Sequence, residues 1–202
     1  SPSRGLGDVY KRQDSDGASV STAALLARGY RRVGFLGGPE GATSTQDRLA
    51  GFRDGLAGQA GVSLTTSFAS AYAFDAGRAE MQRLLAAGQR AEAWFCGDDI
   101  LSIGAISALA DAGVRVPEDV GILGLNDMEM AAWPTINLTT IRQPIAAIVD
   151  AAVAQMVAIL NDAGQPPEAR LFDCSIVERG TLRGDALAGL QHRGVAHPEG
   201  HE

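Results

Sequence analysis

The sequence predicts an α/β protein with a parallel sheet covered by helices on both faces. Along the chain, short apolar stretches of strand length alternate with longer segments whose apolar residues recur at helical spacing. The linkers between these segments are only a few residues long, which favours βαβ units with right-handed crossovers. Stretches such as Arg32–Gly37 are almost continuously apolar, as expected for strands that are buried on both sides.

The predicted strands are short, rich in apolar or β-branched residues, and bounded by turn residues. They are Arg32–Gly37, Leu64–Ser70, Ala93–Cys96, Val120–Leu125, Leu138–Arg142 and Leu171–Val177, of which the second is the weakest. The predicted helices are Asp14–Arg28, Gln46–Gln59, Phe74–Ala87, Asp99–Ala112 and Pro144–Leu160, with one further helical turn at Asp127–Ala132. The first, third and fourth helices are followed at once by Gly29, Gly88 and Gly113, which are typical helix-ending residues.

Composition restricts the class of protein. The 202 residues include 24 acids and 17 bases, a net charge of −7, so this stretch itself is not expected to bind nucleic acid phosphates. It has no apolar run of about 20 residues and no signal peptide, so we expect no membrane association. Two cysteines, Cys96 and Cys174, fit a reduced, cytoplasmic protein better than a disulfide scaffold.

Two central strands end in acids and amides. Asp98 and Asp99 follow one predicted strand, and Asn126 and Asp127 follow the next. Because ligands of open parallel sheets bind beyond the carboxyl ends of the strands, these four residues are expected to meet at one edge. Paired acids suggest acid–base catalysis or a metal, whereas acids and amides together also suit the hydroxyls of a polyol or the edge of a base.

An enzymatic role is disfavoured. His192, His197 and His201 all lie in the polar C-terminal tail, far in sequence from the acids. The chain contains neither a Gly-x-Ser-x-Gly elbow nor a phosphate-binding loop, and the pair Gly37–Gly38 lacks the third glycine of a dinucleotide fingerprint. We therefore expect no catalytic residue, no metal and no cofactor.

Two further side chains are candidates for the same edge. Arg48 lies early in its helix and offers five donors in a planar fork, and Tyr72 follows a strand and offers a stacking face. Each candidate also has a structural alternative. Arg48 could pair with Asp47 or Glu80, and Tyr72 could simply pack. Among the acids, Asp99 is expected to cap its helix. For Asp127, capping a helix and binding a ligand are equally supported.

Four motifs in the same order resemble the effector-binding domain of the lac repressor family of bacterial transcription regulators. They are GYRRVGFLGG (Gly29–Gly38) followed by RLAGF (Arg48–Phe52), CGDDILSIGA (Cys96–Ala105), VPEDVGILGLNDMEMAAWPTINLTTIRQ (Val116–Gln143) and ERGTL (Glu178–Leu182). The resemblance runs from about Asp14 to Leu182. It implies a periplasmic-binding-protein-like type I fold of two α/β lobes, with a sugar, nucleoside or similar effector in the cleft between them.

The resemblance also implies partners and site residues. Family members are dimers that bind operator DNA through an N-terminal helix-turn-helix, which is absent from this chain. The positions that contact the effector correspond here to Arg48, Asp98 and Asn126, with Tyr72 lining the pocket and Gln143 at a crossover between lobes. For the dimer interface we expect Ile103, Ile106 and Trp133. The two isoleucines could equally belong to the core, and Trp133 could equally be a packing residue.

The resemblance divides the chain into unequal parts. Residues 1–13 are expected to be a foreign or disordered leader, and residues 183–202 a disordered tail. Residues 14–142 form the C-terminal lobe and 171–182 its final strand, while 143–170 cross to a first lobe that is largely missing. The helix at Pro144–Leu160 would then expose its apolar face, so we expect the isolated chain to be poorly soluble or oligomeric.

One departure from the family pattern concerns the effector contacts. The family usually has Asn then Asp after the first of the two strands and Asp then Asp after the second. This chain has Asp98–Asp99 and Asn126–Asp127. We expect the exchange to alter the orientation or identity of the effector; unchanged binding in the double variant Asp98→Asn, Asn126→Asp would reject that hypothesis. The alternative function is a periplasmic sugar-binding protein that serves a transporter.

Overall fold

The computed structural model describes residues 17–161 and 173–184, which contain one mixed sheet. Its strands are β1 (Arg32–Gly37), β2 (Ser63–Phe68), β3 (Ala93–Cys96), β4 (Gly121–Leu125), β5 (Thr140–Arg142) and β6 (Ser175–Val177). Their spatial order is β2-β1-β3-β4-β5-β6. Strands β1 to β5 are parallel to their neighbours, and only β6 is antiparallel within this described sheet.

The helices lie on both faces of the sheet. They are α1 (residues 17–27), α2 (Thr43–Leu56), α3 (Phe74–Ala86), α4 (Asp99–Asp111) and α5 (Ile145–Asn161), with a 3-10 turn at Glu129–Ala132. Helices α1 and α2 cover one face and α3 and α4 the other. The predicted α/β fold with a largely parallel sheet is therefore confirmed.

Each face of the sheet has its own hydrophobic core. On the α1–α2 side, the rings of Phe35, Phe52 and Phe95 pack together with centroid distances of 5.2 to 6.1 Å. On the other side, Trp94 of β3 packs among apolar residues of α3 and α4. Strands β3 and β4 are buried at every position, because they contribute side chains to both cores. That two-sided burial accounts for their continuously apolar sequences.

Several boundaries differ from the predicted ones. Strands β1 and β3 match the prediction, but α2 begins at Thr43 rather than Gln46. The residues Thr43–Thr45 resemble a loop in composition, yet they form the first helical turn. The expected strand at Leu138–Arg142 is shortened to β5, because Leu138 and Thr139 bond to neighbouring loops before the strand begins. The predicted leader, residues 14–16, residues 171–172 and the tail beyond residue 184 lie outside the described residues.

The last strand of the described sheet departs from the predicted parallel arrangement. Strand β6 runs antiparallel to β5, with Thr140 opposite Val177. Adjacent parallel strands need a connection that crosses a face of the sheet, usually a packed helix. Helix α5 lies between β5 and β6 in sequence, but it has no buried residue and therefore does not cover the sheet. Helix α5 thus does not supply the packed crossover that a parallel pairing of β6 with β5 would need.

Helix α5 carries an exposed apolar face. Large apolar side chains recur along it with about half or more of their surface exposed: Ile145, Val149, Val153, Met156, Val157 and Leu160. This is the face that the sequence predicted to be uncovered. Among the described residues, no helix is both long and apolar enough to cross a membrane.

Candidate functional site

The polar ends of β3 and β4 meet at one edge of the sheet. The two strands are parallel neighbours, with Phe95 opposite Leu123, so their carboxyl ends point the same way. Asp98 and Asp99 therefore lie at the same edge as Asn126 and Asp127, as the sequence predicts. Tyr72 follows β2 and Gln143 follows β5, which brings both to this carboxyl edge as well.

Asp98, and not Asp99 as the sequence suggested, caps helix α4. Asp98 is the N-cap of α4, and its Oδ1 accepts a hydrogen bond from the Leu101 amide at 2.8 Å. The expectation that Asp99 caps the helix is wrong. Asp99 is already the first helical residue, so its side chain turns inward and accepts bonds from Thr140 Oγ1 and the Met128 amide, each at 2.6 Å.

Arg48 and Tyr72 form one cluster beside the Asp98 carboxylate. Arg48 lies in the first half of α2, which starts at the carboxyl edge because it follows β1 in a βα unit. Its Nη1 donates to the Gly97 carbonyl at 2.7 Å and to Tyr72 Oη at 3.4 Å, and its guanidinium carbon lies 5.8 Å from the Tyr72 ring centroid. Arg48 is only 7% exposed. The alternative partner Glu80 instead bonds Arg83 and Ser67.

Tyr72 is held in place by the neighbouring backbone. Its hydroxyl shares a 2.7 Å hydrogen bond with Thr45 Oγ1. Its ring lies against Gly38 and Gly97, and a Cβ atom at Gly38 would collide with it. The half-buried ring is thus fixed between two strand ends, with one edge toward Arg48.

Burial and charge act in opposite directions on the acids. Burial raises the pKa of Asp98, and the Leu101 amide and the Arg48 charge offset only part of that rise. Burial likewise raises the pKa of Asp99 to about 6, against the hydrogen bonds from Thr140 and Met128. For Asp127 burial is again the largest influence and raises the pKa, but hydrogen bonds and charges from Arg179 and Arg142 together outweigh it, so the net pKa is lowered.

Asp127 is committed to two arginines. Its carboxylate bonds Arg142 Nη2 at 2.6 Å and Arg179 Nη2 at 2.7 Å. Neither arginine was a predicted site residue, because the sequence gives no indication that β5 and the segment after β6 flank Asp127. The ion pairs connect the end of β4 to the last residue of β5 and to the segment that follows β6. Asp127 therefore takes neither the capping nor the binding alternative as its observed contact, and acts here as a structural anchor.

Gln143 presents an unmet donor. Its Nε2 atom is buried and has no hydrogen-bond partner among the described residues. A Cβ atom at Gly17 would lie 3.7 Å from it, so the amide lies close to Gly17 in α1. A buried amide donor without an acceptor costs free energy in the folded state.

The predicted interface residues differ in exposure. Trp133 is 53% exposed, while Ile103 and Ile106 are partly buried on α4. Ile106 packs against the core on the α3–α4 side. Their role in a dimer remains a prediction. Among the described residues, no group of three or more acidic, histidine or cysteine side chains is arranged to hold a metal ion.

Comparison with known families identifies the class of protein. The chain belongs to the periplasmic binding protein-like domain family, whose model matches residues 22–182. Its relatives and structural neighbours are LacI-family regulators, and the matched region corresponds to their effector-binding domain. The resemblance drawn from the four motifs is thereby confirmed, as is the periplasmic-binding-protein-like fold.

The curated relatives include bacterial repressors. The HTH-type transcriptional repressor CytR of Escherichia coli (strain K12) is 30% identical over 161 residues, 79% of this chain and 47% of that protein. The ribose operon repressor of Haemophilus influenzae is 32% identical over 143 residues, 70% of this chain and 43% of that protein. The chain thus spans about half the length of the curated relatives it matches. These relatives are named as repressors and not as enzymes.

Solved structures give the same fold. A sugar-binding transcriptional regulator of the LacI family from Escherichia coli, complexed with phosphate, has a TM-score of 0.75 and 25% identity, covering 84% of this chain and 61% of that one. A LacI-family regulatory protein from Corynebacterium glutamicum has a TM-score of 0.70 and 27% identity, covering 84% and 65%. A LacI-family regulator from Enterococcus faecalis with bound ribose has a TM-score of 0.73 at 20% identity, covering 84% and 61%, and supports the fold alone.

Proposed function

We propose that this chain is the effector-sensing part of a cytoplasmic transcription regulator, and that it binds a small sugar or nucleoside-like ligand at the carboxyl edge of the sheet. The observation that carries the proposal is the cluster of Arg48, Asp98 and Tyr72 at that edge. A cationic fork, a carboxylate and an aromatic ring at one place can bond vicinal hydroxyls and cover the apolar face of a sugar ring.

The supporting geometry is that of a preformed site. Arg48 is fixed by the Gly97 carbonyl, and Tyr72 by Thr45 and Gly38, so little side-chain entropy is lost on binding. One carboxylate oxygen of Asp98 accepts the capping hydrogen bond of α4, and the carboxylate lies close enough to Arg48 to feel its charge. In this proposal Asn126 and Gln143 complete the ring of polar contacts, with the unmet Gln143 donor bonding a ligand oxygen.

The second wall of the cleft would come from another lobe. In this proposal residues 14–142 and 171–182 form one lobe, and residues 143–170 cross to the other. The exposed apolar face of α5 supports that division, because at ~25 cal/mol per Å2 such a face costs several kcal/mol when left in water. Closing the two lobes around the ligand would alter the regulator's affinity for operator DNA.

The remaining partners follow from the relatives. They are named as transcriptional repressors, one of them for a ribose operon, so we propose that the complete protein binds operator DNA through a helix-turn-helix outside this chain. The net charge of −7 agrees with a DNA contact located elsewhere. We further propose a homodimer in which Trp133, Ile103 and Ile106 contribute to the interface.

A thermal-shift screen tests the proposal. Sugars and nucleosides, beginning with D-ribose and adenosine, are added to the protein and the melting temperature is measured. A ligand that binds only the native state raises the melting temperature by mass action. We expect a concentration-dependent rise for at least one sugar or nucleoside. A flat response across both classes, with the protein folded, would contradict the proposed ligand class.

A further inference from the structure

One buried carboxylate at the carboxyl edge has no place in the proposed set of ligand contacts. Asp99 is fully buried at the start of α4. Its two oxygens accept from Thr140 Oγ1 in β5 and from the backbone amide of Met128, which follows β4. A single side chain thus connects a helix N-terminus, a strand and the segment that carries Asn126.

The sheet leaves room for this carboxylate. Gly124 in β4 lies beneath it, and a Cβ atom there would collide with Asp99 Oδ1 and approach Leu138 to 2.8 Å. The added Cβ atom would collide with the Asp99 carboxylate, which cannot move aside without losing its two hydrogen bonds. Any side chain at position 124 would therefore push Asp99 off its partners.

The segment that Asp99 holds has an unusual backbone. Asn126 has a φ of 103° and Asp127 a φ of 53°, both in the region that residues with a side chain rarely adopt. Such conformations persist when the surrounding structure fixes them on both sides. Here the Asn126 amide donates to the Ile141 carbonyl at 2.8 Å, and the Met128 amide donates to Asp99 at 2.6 Å.

We propose that Asp99 is a positioning residue for the ligand site, which holds the turn at residues 126–127 so that Asn126 is presented at the carboxyl edge. This inference rests on the proposed function in assigning Asn126 to the ligand. The backbone of the turn can nevertheless be measured without any ligand.

The charges around Asp99 define how it responds to pH. The carboxylates of Asp98 and Asp127 both oppose its ionisation, although Asp127 is paired with Arg142 and Arg179. Thr140 and the Met128 amide favour the ionised form. The pKa of Asp99 is about 6, so above about pH 6 the Met128 amide donates to a charged carboxylate and the hydrogen bond is charge-assisted. Below that pH the carboxyl group is neutral and the same hydrogen bond is weaker.

Hydrogen–deuterium exchange of the backbone amides, resolved to single residues, tests the proposal on the whole chain. In Asp99→Leu, which matches the side chain in shape but accepts no bond, we expect Met128 to exchange about tenfold faster at about pH 7.5. Asp111→Leu places the same substitution on the exposed end of α4 and should leave Met128 unchanged. Asp99→Asn, which can still accept from the amide, should restore most of the protection.

The pH profile separates positioning from a merely structural role. In the parent protein, protection of Met128 corrected for intrinsic exchange should fall severalfold as the pH drops through about 6, and in Asp99→Asn it should stay flat. Unchanged Met128 exchange in Asp99→Leu would overturn the proposal. So would an equal acceleration of all core amides, since Asp99 would then support the fold as a whole.

A binding measurement keeps this inference distinct from the proposed function. D-ribose and adenosine are titrated into the parent and Asp99→Leu proteins. Weaker binding in the variant together with faster Met128 exchange supports the positioning role. If neither probe nor any other sugar or nucleoside binds the parent, the proposed function fails, while the exchange data still decide whether Asp99 sets the turn. Unchanged affinity beside an altered turn would overturn its role in the site.

Discussion

At the scale of single residues, the pKa of each acid at the carboxyl edge depends on whether its charge is paired with a cation or is only buried. Asp127 sits between two arginines and keeps a lowered pKa, whereas Asp99 has only dipolar partners and a pKa raised to about 6. Buried carboxylates of the second kind hold their charge at a cost to the folded state. Residues that preorganise a site commonly lower the stability of the folded state while they fix the geometry of the site.

The raised pKa of Asp99 predicts a specific pH dependence of stability. The native state binds the Asp99 proton more tightly than the unfolded chain, so the contribution of this residue falls as the pH rises from about 4 to about 6.5. Asp99→Asn removes this titration while keeping the side chain's shape. Across that window, the parent should lose on the order of 2–3 kcal/mol relative to the variant. Urea unfolding at each pH measures the difference, and parallel curves would contradict the raised pKa.

A second residue-scale prediction concerns the seat of Tyr72. A methyl group at Gly38 would collide with the Tyr72 ring, so Gly38→Ala should displace the ring from Thr45 and Arg48. We expect a loss of about 1–3 kcal/mol in the free energy of unfolding. Gly41→Ala is the matched control, because nothing lies within 4 Å of a Cβ atom in that neighbouring loop position. Equal stability of the two variants would contradict the described packing.

At the scale of elements, the parallel order of β1 to β5 brings the start of each following helix to one edge. Arg48 on α2 and Asp98 before α4 owe their proximity to that topology rather than to sequence distance. Helix α5 is the exception, since it leaves β5 without packing on the sheet and exposes its apolar face. The sheet and helices α1 to α4 thus bury two hydrophobic cores of their own, whereas the apolar face of α5 would be buried only by another surface.

The exposed face of α5 predicts self-association of this chain. Val153→Glu places a charge in the middle of that face, whereas Ala147→Glu places the same charge on the opposite, exposed side of the helix. We expect sedimentation velocity to show oligomers for the parent and Ala147→Glu, and a shift toward monomer for Val153→Glu. A monomeric parent at micromolar concentration would contradict the prediction.

The limits of sequence-based prediction are also set at this scale. The bounds of β1 and β3 were predictable because both strands are largely buried, β1 ends at Gly37 and β3 is followed by Gly97. The antiparallel direction of β6 was not, because no local sequence pattern specifies how a strand pairs with a distant neighbour. The capping role of Asp98 was assigned to Asp99 because the two differ by a single residue of helix register. The Arg142 and Arg179 pairs with Asp127 join segments distant in sequence, which no local pattern indicates.

At the scale of the whole molecule, the described residues form one sheet with a polar carboxyl edge and one helix, α5, with an exposed apolar face. It spans about half the length of its curated relatives, so its DNA contact and dimer belong to the proposed complete protein. The acidic net charge and the preformed cluster at Arg48 both fit a domain that senses a small ligand and leaves the nucleic acid to another part. The central claim is therefore that the carboxyl edge binds the ligand.

Isothermal titration of the ligand found by the thermal-shift screen tests that claim most directly. The account predicts that Arg48→Lys, which keeps the charge but loses the planar fork, weakens binding at least about tenfold, or 1.4 kcal/mol. Arg90→Lys, an exposed position ahead of β3 at the opposite edge of the sheet, should bind as the parent does. Equal affinity for the parent, Arg48→Lys and Arg90→Lys would contradict a ligand site built on Arg48.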